Sequence, residues 1–114
     1  MIKTIPYQNR TFKFLLKKLF ELQNKLQMRD WQIDLIYGDS IPEDMSAKIT
    51  DMGNCNFDTD TLEACIWIHK AACKIKNTDP LNVLYHEMAH VWLQYTEDEE
   101  RQANILALLI GGQL

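Results

Sequence analysis

The spacing of hydrophobic residues changes along the chain and predicts one helix followed by three strands. Leucines recur at helical spacing over residues 11–28, which is typical of an amphipathic helix. Apolar and polar residues alternate over residues 31–37, as in a strand with one buried face. Residues 53–57 and the β-branched and aromatic segment 62–69 are predicted to be two further strands. Turn-forming residues at 58–61 join these two strands into a hairpin.

A second amphipathic segment, at residues 81–95, predicts another helix. Asp79 suits its N-cap position, and Pro80 suits the first helical position because its missing N–H needs no partner there. The apolar residues that follow at helical spacing are Leu81, Leu84, Met88, Val91 and Tyr95. One face of this helix is therefore expected to be buried.

At the centre of this helix, residues 86–90 have the sequence HEMAH. Residues four apart leave the same face of a helix, so His86 and His90 can hold one zinc ion at ~2.0–2.1 Å from each ring nitrogen. Glu87 lies to the side, where it can take a proton from a metal-bound water without being a ligand. Two of the three histidines of the chain occupy this motif, which favours a metal site over a chance arrangement.

A catalytic zinc site needs a third protein ligand, and the acidic segment after the motif helix offers candidates. Thr96 and Glu99 form a capping box, which predicts the start of a C-terminal helix. Glu100 is expected to point inward, because it shares a face with small and apolar residues, and a buried carboxylate needs a partner. That face contains Ala103, Asn104, Ala107 and Leu108. We therefore expect Glu100 to be the third ligand, with Glu97 and Glu99 as alternatives.

These two segments together resemble the zincin metallopeptidases of the ImmA/IrrE type. Members carry a similar Glu-x-x-Ala-Asn-x-x-Ala segment after the two-histidine helix, and here that segment begins at Glu100. The resemblance covers about the last third of the chain and implies zinc on His86, His90 and Glu100, with Glu87 as general base. The chain departs from the family at residues 110–112, where Ile-Gly-Gly replaces a frequent Met-Pro. It also leaves no room for the extra DNA-binding domain of many relatives.

The order of elements predicts an α+β fold in a single domain, residues 1–114. It resembles a minimal zincin core with an N-terminal helix, a three-stranded sheet with a hairpin, the HExxH helix and a C-terminal helix. In zincins a strand runs along the cleft, and a peptide substrate can pair with its edge. By position we expect that strand to be residues 62–69. His69 closes it and is a candidate to line the cleft, although a surface histidine at a strand end is the simpler interpretation.

The expected chemistry is hydrolysis of a peptide bond by water on Zn²⁺. Glu87 would remove the proton of that water and later return it to the leaving amine. Asn104, one turn after Glu100, is a candidate to orient a ligand. A tyrosine or histidine often assists the oxyanion in zincins, and the candidates here are Tyr95, Tyr85 and His69. The resemblance implies a protein or peptide substrate, such as a repressor or regulator in a phage or mobile element.

Two other functions remain open at this point. The same fold could bind zinc as a regulatory or protein-binding module without proteolysis, although such a module would be free to lose Glu87. A nucleic-acid-binding role is less favoured. Residues 1–29 contain seven basic residues and one acid, giving +6, but they show no arginine-rich cluster with interleaved exposed aromatics. Residues 30–114 carry −10, and the whole chain −4.

Composition bounds the cellular context. The chain of 114 residues is 46% apolar, which is enough for a hydrophobic core, and no apolar run is long enough to cross a membrane. We expect no secretory signal, since no apolar segment follows Lys3 near the start. Three cysteines form an odd count, which favours reduced thiols in the cytoplasm. Cys65, His69 and Cys73 are four apart, but the strand predicted at 62–69 argues against a second metal site there.

Overall fold

Two long helices pack on one face of a three-stranded sheet in the computed structural model of the chain. The structure describes residues 9–96, with side chains through Gln94. The elements are α1 (Arg10–Lys25), β1 (Gln32–Gly38), β2 (Gly53–Asp58), β3 (Glu63–His69), α2 (Lys70–Ile75) and α3 (Pro80–Thr96). This arrangement confirms the α+β class. The C-terminal helix expected after residue 96 lies outside the described residues.

β3 is the central strand of the sheet, whose order is β1-β3-β2. It runs parallel to β1 and antiparallel to β2, so the hairpin expected between β2 and β3 is confirmed. The expectation that residues 62–69 offer an edge along the cleft is wrong, because β3 is paired on both sides. Burial on both of its faces, at Ile66 and at Trp67, is typical of a central strand. The strand beside α3 with one unpaired side among the described residues is β2.

The core lies between the helices and the sheet. Alternation along β3 turns Ala64, Ile66 and Ile68 toward the helices. The leucine stripe of α1 and the apolar stripe of α3 meet this face. Nearly fully buried members of these two stripes include Leu15, Leu19, Leu22, Leu84, Met88 and Val91. Burial of these stripes fixes the rotation of each helix about its axis, and so decides which side chains of α3 are left for chemistry.

The opposite face of the sheet is covered by the connection between β1 and β2, residues 39–52. Asn54 donates from Nδ2 to the Ser46 carbonyl at 2.9 Å, and Asn56 donates from Nδ2 to the Asp44 carbonyl at 2.7 Å. The buried side chain of Met45 fills the space beneath this connection. Along β2, the residues that face the helices therefore alternate with Asn54 and Asn56, which face the other way and bind the 39–52 connection.

α1 begins one residue earlier and ends three residues earlier than the hydrophobic pattern predicts. Asn9 caps it, since its Oδ1 accepts from the Phe12 N–H at 2.8 Å. The helix stops because Gln27 takes the left-handed conformation, with φ at 58°. Met28 then donates to the Gln23 carbonyl at 2.7 Å, which closes the last turn. Met28 is buried after the turn, so its apolar character extended the predicted helix too far.

The short helix α2 was not expected from the sequence. It follows β3 directly and ends like α1, with Asn77 at φ 52° and Thr78 donating to the Cys73 carbonyl at 2.8 Å. Asp39 supports its first turn by accepting from the Ala71 N–H at 2.8 Å. Six residues with two alanines and a cysteine give too short an apolar pattern to identify a helix. None of the described helices is long and apolar enough to cross a membrane.

α3 approaches β2 most closely at Gly53, where a side chain has no space. A Cβ at this position would lie 2.5 Å from Val83 Cγ1 and 2.7 Å from the Trp67 carbonyl oxygen. Both neighbours belong to buried elements, so neither can move without disturbing the core. Glycine at this position therefore sets the distance between the motif helix and the sheet.

We predict that Gly53→Ala lowers the free energy of unfolding by roughly 1–3 kcal/mol, the usual cost of overpacking. Gly38→Ala is the matched control, because Gly38 also lies at the end of a strand but has no neighbouring atom within 4 Å of the position that an alanine methyl would take. Urea denaturation followed by circular dichroism measures both. Equal stabilities for the two variants would contradict the close approach described above.

Candidate metal centre

His86 and His90 bring their ring nitrogens together on the side of α3 that borders β2. The two Nε2 atoms are 3.0 Å apart, and the rings meet edge to face with centroids 4.6 Å apart. Two nitrogens at ~2.0–2.1 Å from a tetrahedral zinc ion lie about 3.3 Å from each other. The pair is therefore close to the separation that zinc requires. By this distance, the two histidine side chains fit a zinc ion.

The N-terminal start of α3 follows the sequence expectation. Asp79 Oδ1 accepts from the Leu81 N–H at 3.0 Å, so Asp79 is the N-cap and Pro80 the first helical residue. Leu84, Met88 and Val91 are fully buried against the sheet and α1. Because these residues fix the inward face, His86 and His90 are left half-buried on the side that borders β2.

Glu87 is 7% exposed and lies between α3 and β2. Its Oε2 is 3.6 Å from the position that a Gly53 Cβ would take, so the carboxylate reaches the strand where α3 is closest to it. It also contacts the thiol of Cys55, which can donate a hydrogen bond to it. A buried carboxylate needs such donors, since burial without them is costly.

A cavity of about 510 Å³ opens between α3 and β2 and contains this group of side chains. His86, Glu87 and His90 line it from the helix. Cys55 and Phe57 line it from alternate positions of β2. The cavity therefore combines two imidazoles, a buried carboxylate and, within residues 9–96, a strand with one unpaired side, which are the parts that water-mediated hydrolysis of a peptide would use.

The third ligand predicted from the sequence cannot be placed. Glu100 and Asn104 lie outside the described residues, as does the side chain of Tyr95. Within residues 9–96, no three histidine, cysteine, aspartate or glutamate side chains are grouped to hold a metal ion. The described part of the chain thus contains two of the three predicted ligands, His86 and His90, and all three ligands stay predictions.

His69 does not line the cleft, which corrects its candidacy for the oxyanion. Alternation along β3 puts it on the sheet face away from α3, where its ring stacks on Trp67 with centroids 5.1 Å apart. It is also 4% exposed, so the simpler interpretation as a surface histidine is wrong. Its Nδ1 lies 3.1 Å from the Asp51 carbonyl oxygen. The core positions of Ile66 and Ile68 could have revealed this orientation from the sequence.

Tyr85 is likewise separated from the two histidines, although it precedes His86 in the chain. Successive residues of a helix point about 100° apart, and Tyr85 faces α1. There it borders a small cavity with Lys18, Leu22 and Lys25. It is not placed to assist a reaction beside His86 and His90.

Cys55 is the residue of the cleft that sequence reasoning missed. The odd number of cysteines predicted reduced thiols at Cys55, Cys65 and Cys73 without distinguishing between them. All three are free cysteines in the structure. The signal available was the alternation of Gly53, Cys55 and Phe57, which puts these residues on one face of β2. Burial, and then the neighbouring Glu87 carboxylate, raise the pKa of the Cys55 thiol far above its ordinary value. The thiol is therefore protonated and able to donate.

Comparisons with family models, curated proteins and solved structures found no match to this chain. The resemblance to ImmA/IrrE-type zincins accordingly stays a prediction. It depends on the spacing of the two histidines and the glutamates in the sequence.

The raised pKa of Cys55 predicts a loss of stability in alkaline solution. In the unfolded chain the thiol ionises near its ordinary pKa of 9.0, whereas in the folded state it stays protonated to higher pH. The unfolded state therefore binds fewer protons above pH 9.0, and the unfolding free energy falls as the pH rises. We expect Cys55→Ser to show a smaller fall than the parent between about pH 9 and about pH 11 in urea titrations.

Cys65→Ser is the control for this measurement. Cys65 lies on the other face of the sheet, and its pKa is raised by burial and then by Asp34, without a contribution from Glu87. It is also the smallest contributor to the raised pKa of Cys55, so its replacement is expected to change the alkaline profile less than Cys55→Ser. Identical profiles for the parent and Cys55→Ser would contradict the buried contact between the thiol and the carboxylate.

Proposed function

We propose that this chain is a zinc-dependent peptidase with a minimal zincin-like core. The observation that supports this most directly is the 3.0 Å separation of His86 Nε2 and His90 Nε2 beside the buried carboxylate of Glu87. A purely structural pair of histidines has no need of a buried acid next to it. The cavity between α3 and β2 provides the space for a substrate.

The substrate class we propose is an extended protein or peptide segment. Among the described residues β2 pairs only with β3, so an added strand can pair with its other side. The Cys55 N–H, which donates to Asn54 Oδ1 at 2.7 Å, would exchange that local bond for one to the added strand. β2 borders the same cavity as the two histidines. A segment paired along β2 would pass the candidate metal ligands, and its carbonyl groups would lie near them. The resemblance favours a repressor or other regulator as the natural target.

The residues of this chain divide the work as follows. His86, His90 and Glu100 would hold zinc, and the bound metal would supply a Lewis acid to activate water and to polarise the scissile carbonyl. Glu87 accepts a proton from the attacking water and returns it to the leaving amine. The Cys55 thiol and the packing of α3 on Gly53 restrain the Glu87 carboxylate, which keeps it directed at the cavity.

We predict about one zinc ion per chain in the purified protein, a stoichiometry that three protein ligands support. His86→Ala is expected to remove the metal, and Glu100→Ala to weaken its binding. Matched controls are Gln94→Ala, one turn after His90 on the same cavity, and Glu97→Ala and Glu99→Ala beside Glu100. Elemental analysis and competition with a chromophoric chelator measure content and affinity. Absence of zinc from the parent after reconstitution would refute the site.

Glu87→Gln is expected to keep the zinc content of the parent and to lose peptide hydrolysis by ~100-fold or more, the usual contribution of a general base. Gln has the same shape and can still accept from Cys55, so the fold should be retained. Mass spectrometry of a peptide library after incubation with each protein measures cleavage. Zinc in the parent without cleavage of any peptide would instead favour a zinc-binding regulatory or protein-binding module.

A further inference from the structure

The candidate centre lies between two cavities that meet at Asp51. The first, of about 510 Å³, extends toward His90, and the second, of about 400 Å³, extends toward the start of α3 at Asn82 and Val83. Both cavities are lined by Asp51, Gly53, His86 and Glu87. A peptide running through the site would therefore pass Asp51 whichever cavity receives its side chains.

Asp51 is held in place from two directions. Its Oδ2 accepts from the Lys48 N–H at 2.9 Å, and its carbonyl oxygen lies 3.1 Å from Nδ1 of the buried His69. The His69 N–H also donates to the Met52 carbonyl at 2.7 Å. A side chain that is already ordered loses little entropy when a ligand binds it. Within residues 9–96 the other carboxylate oxygen, Oδ1, accepts no hydrogen bond, and carboxylates can accept several.

The charge around Asp51 is not balanced within the cleft. Among the described residues that line the two cavities there is no lysine or arginine. No described lysine or arginine forms an ion pair with Asp51 within 4.0 Å. Lys76 is the lysine that contacts the residue before Asp51, but its Nζ donates to the Thr50 carbonyl at 3.0 Å and not to the Asp51 carboxylate.

We propose that Asp51 selects substrates that carry a lysine or arginine side chain close to the scissile bond. This inference rests on the proposed peptidase function. A basic side chain in either cavity meets a fixed, partly buried carboxylate, and the resulting charge-assisted hydrogen bond is among the stronger kinds. An acidic side chain beside Asp51 meets like charge from that carboxylate, which disfavours acidic segments.

The test uses the zinc-loaded full chain and a positional-scanning library of unstructured decapeptides with Lys, Arg, Gln or Glu at each position. Cleaved bonds are identified by mass spectrometry, and kcat/KM is measured for the best series. We expect Lys or Arg to exceed Gln by about fivefold or more, the size that a partly exposed ion pair supports. Glu is expected to be the poorest, and Asp51→Asn should abolish the preference for basic over neutral side chains.

Asp58→Asn is the matched control. Like Asp51, Asp58 is a loop-flanking carboxylate that accepts from a backbone N–H, that of Asp60 at 2.8 Å, and it lies outside both cavities. Asp58→Asn removes the same charge as Asp51→Asn from a carboxylate with the same type of backbone contact. Because Asp58 lies outside both cavities, this variant should keep the preference of the parent for basic side chains. Cleavage without a basic preference, or a preference unchanged in Asp51→Asn, would overturn the inference and leave the peptidase function standing.

Binding provides the second measurement. Fluorescein-labelled decapeptides that differ only in Lys or Glu are titrated with zinc-loaded Glu87→Gln protein, with and without Asp51→Asn, and followed by anisotropy. One outcome is that the Lys peptide binds more tightly than the Glu peptide, loses this advantage in Asp51→Asn, and is not cleaved by the parent. That outcome would support recognition of basic side chains by Asp51 and overturn the peptidase function. If no peptide is cleaved and the two peptides bind alike, both proposals fail.

Discussion

The packing of α3 on the edge strand β2 determines where every chemical group of the candidate centre lies. Because Gly53 has no side chain, the helix approaches the strand closely enough for Glu87 to reach β2 and contact Cys55. The same packing buries Leu84 and Met88 and so turns the two histidines toward the cavity. Among the described residues, the two histidines, a buried acid and a strand with one unpaired side are thus brought together by one helix–strand contact.

Local patterns accounted for most of the described fold. The Asp79 cap, the start of α3 and the β2–β3 hairpin depend on residues close together in sequence, and all three were predictable. The position of β3 at the centre was not, because it depends on pairing with β1 across a long connection. Hydrophobic periodicity did not predict α2, because six residues are too few to show a helical pattern. It also placed the end of α1 too late, because the left-handed residue Gln27 ends the helix before the apolar pattern ends.

The site was predictable to the same extent. The spacing of His86 and His90 predicted that the two rings would meet, because residues four apart on a helix leave the same face, and the 3.0 Å separation of their Nε2 atoms confirms this. Cys55 and Asp51 could not be identified in this way, because they reach the cleft through tertiary packing of β2 and the loop before it. His69 was a candidate to line the cleft but points to the opposite face of the sheet. It contacts the cleft indirectly, because its Nδ1 lies 3.1 Å from the Asp51 carbonyl oxygen.

The parallel pairing of β1 with β3 also has a kinetic meaning. Each paired residue in β1 is 31 positions from its partner in β3, whereas β2 and β3 meet through a short turn. Loop closure makes the distant pairing slower, so the hairpin can form before β1 joins it. The connection at residues 39–52 spans β1 and β2, and its final position requires both. The part of this connection next to β1 is therefore expected to order after the hairpin, whereas Asp51 is tied to the hairpin itself through His69.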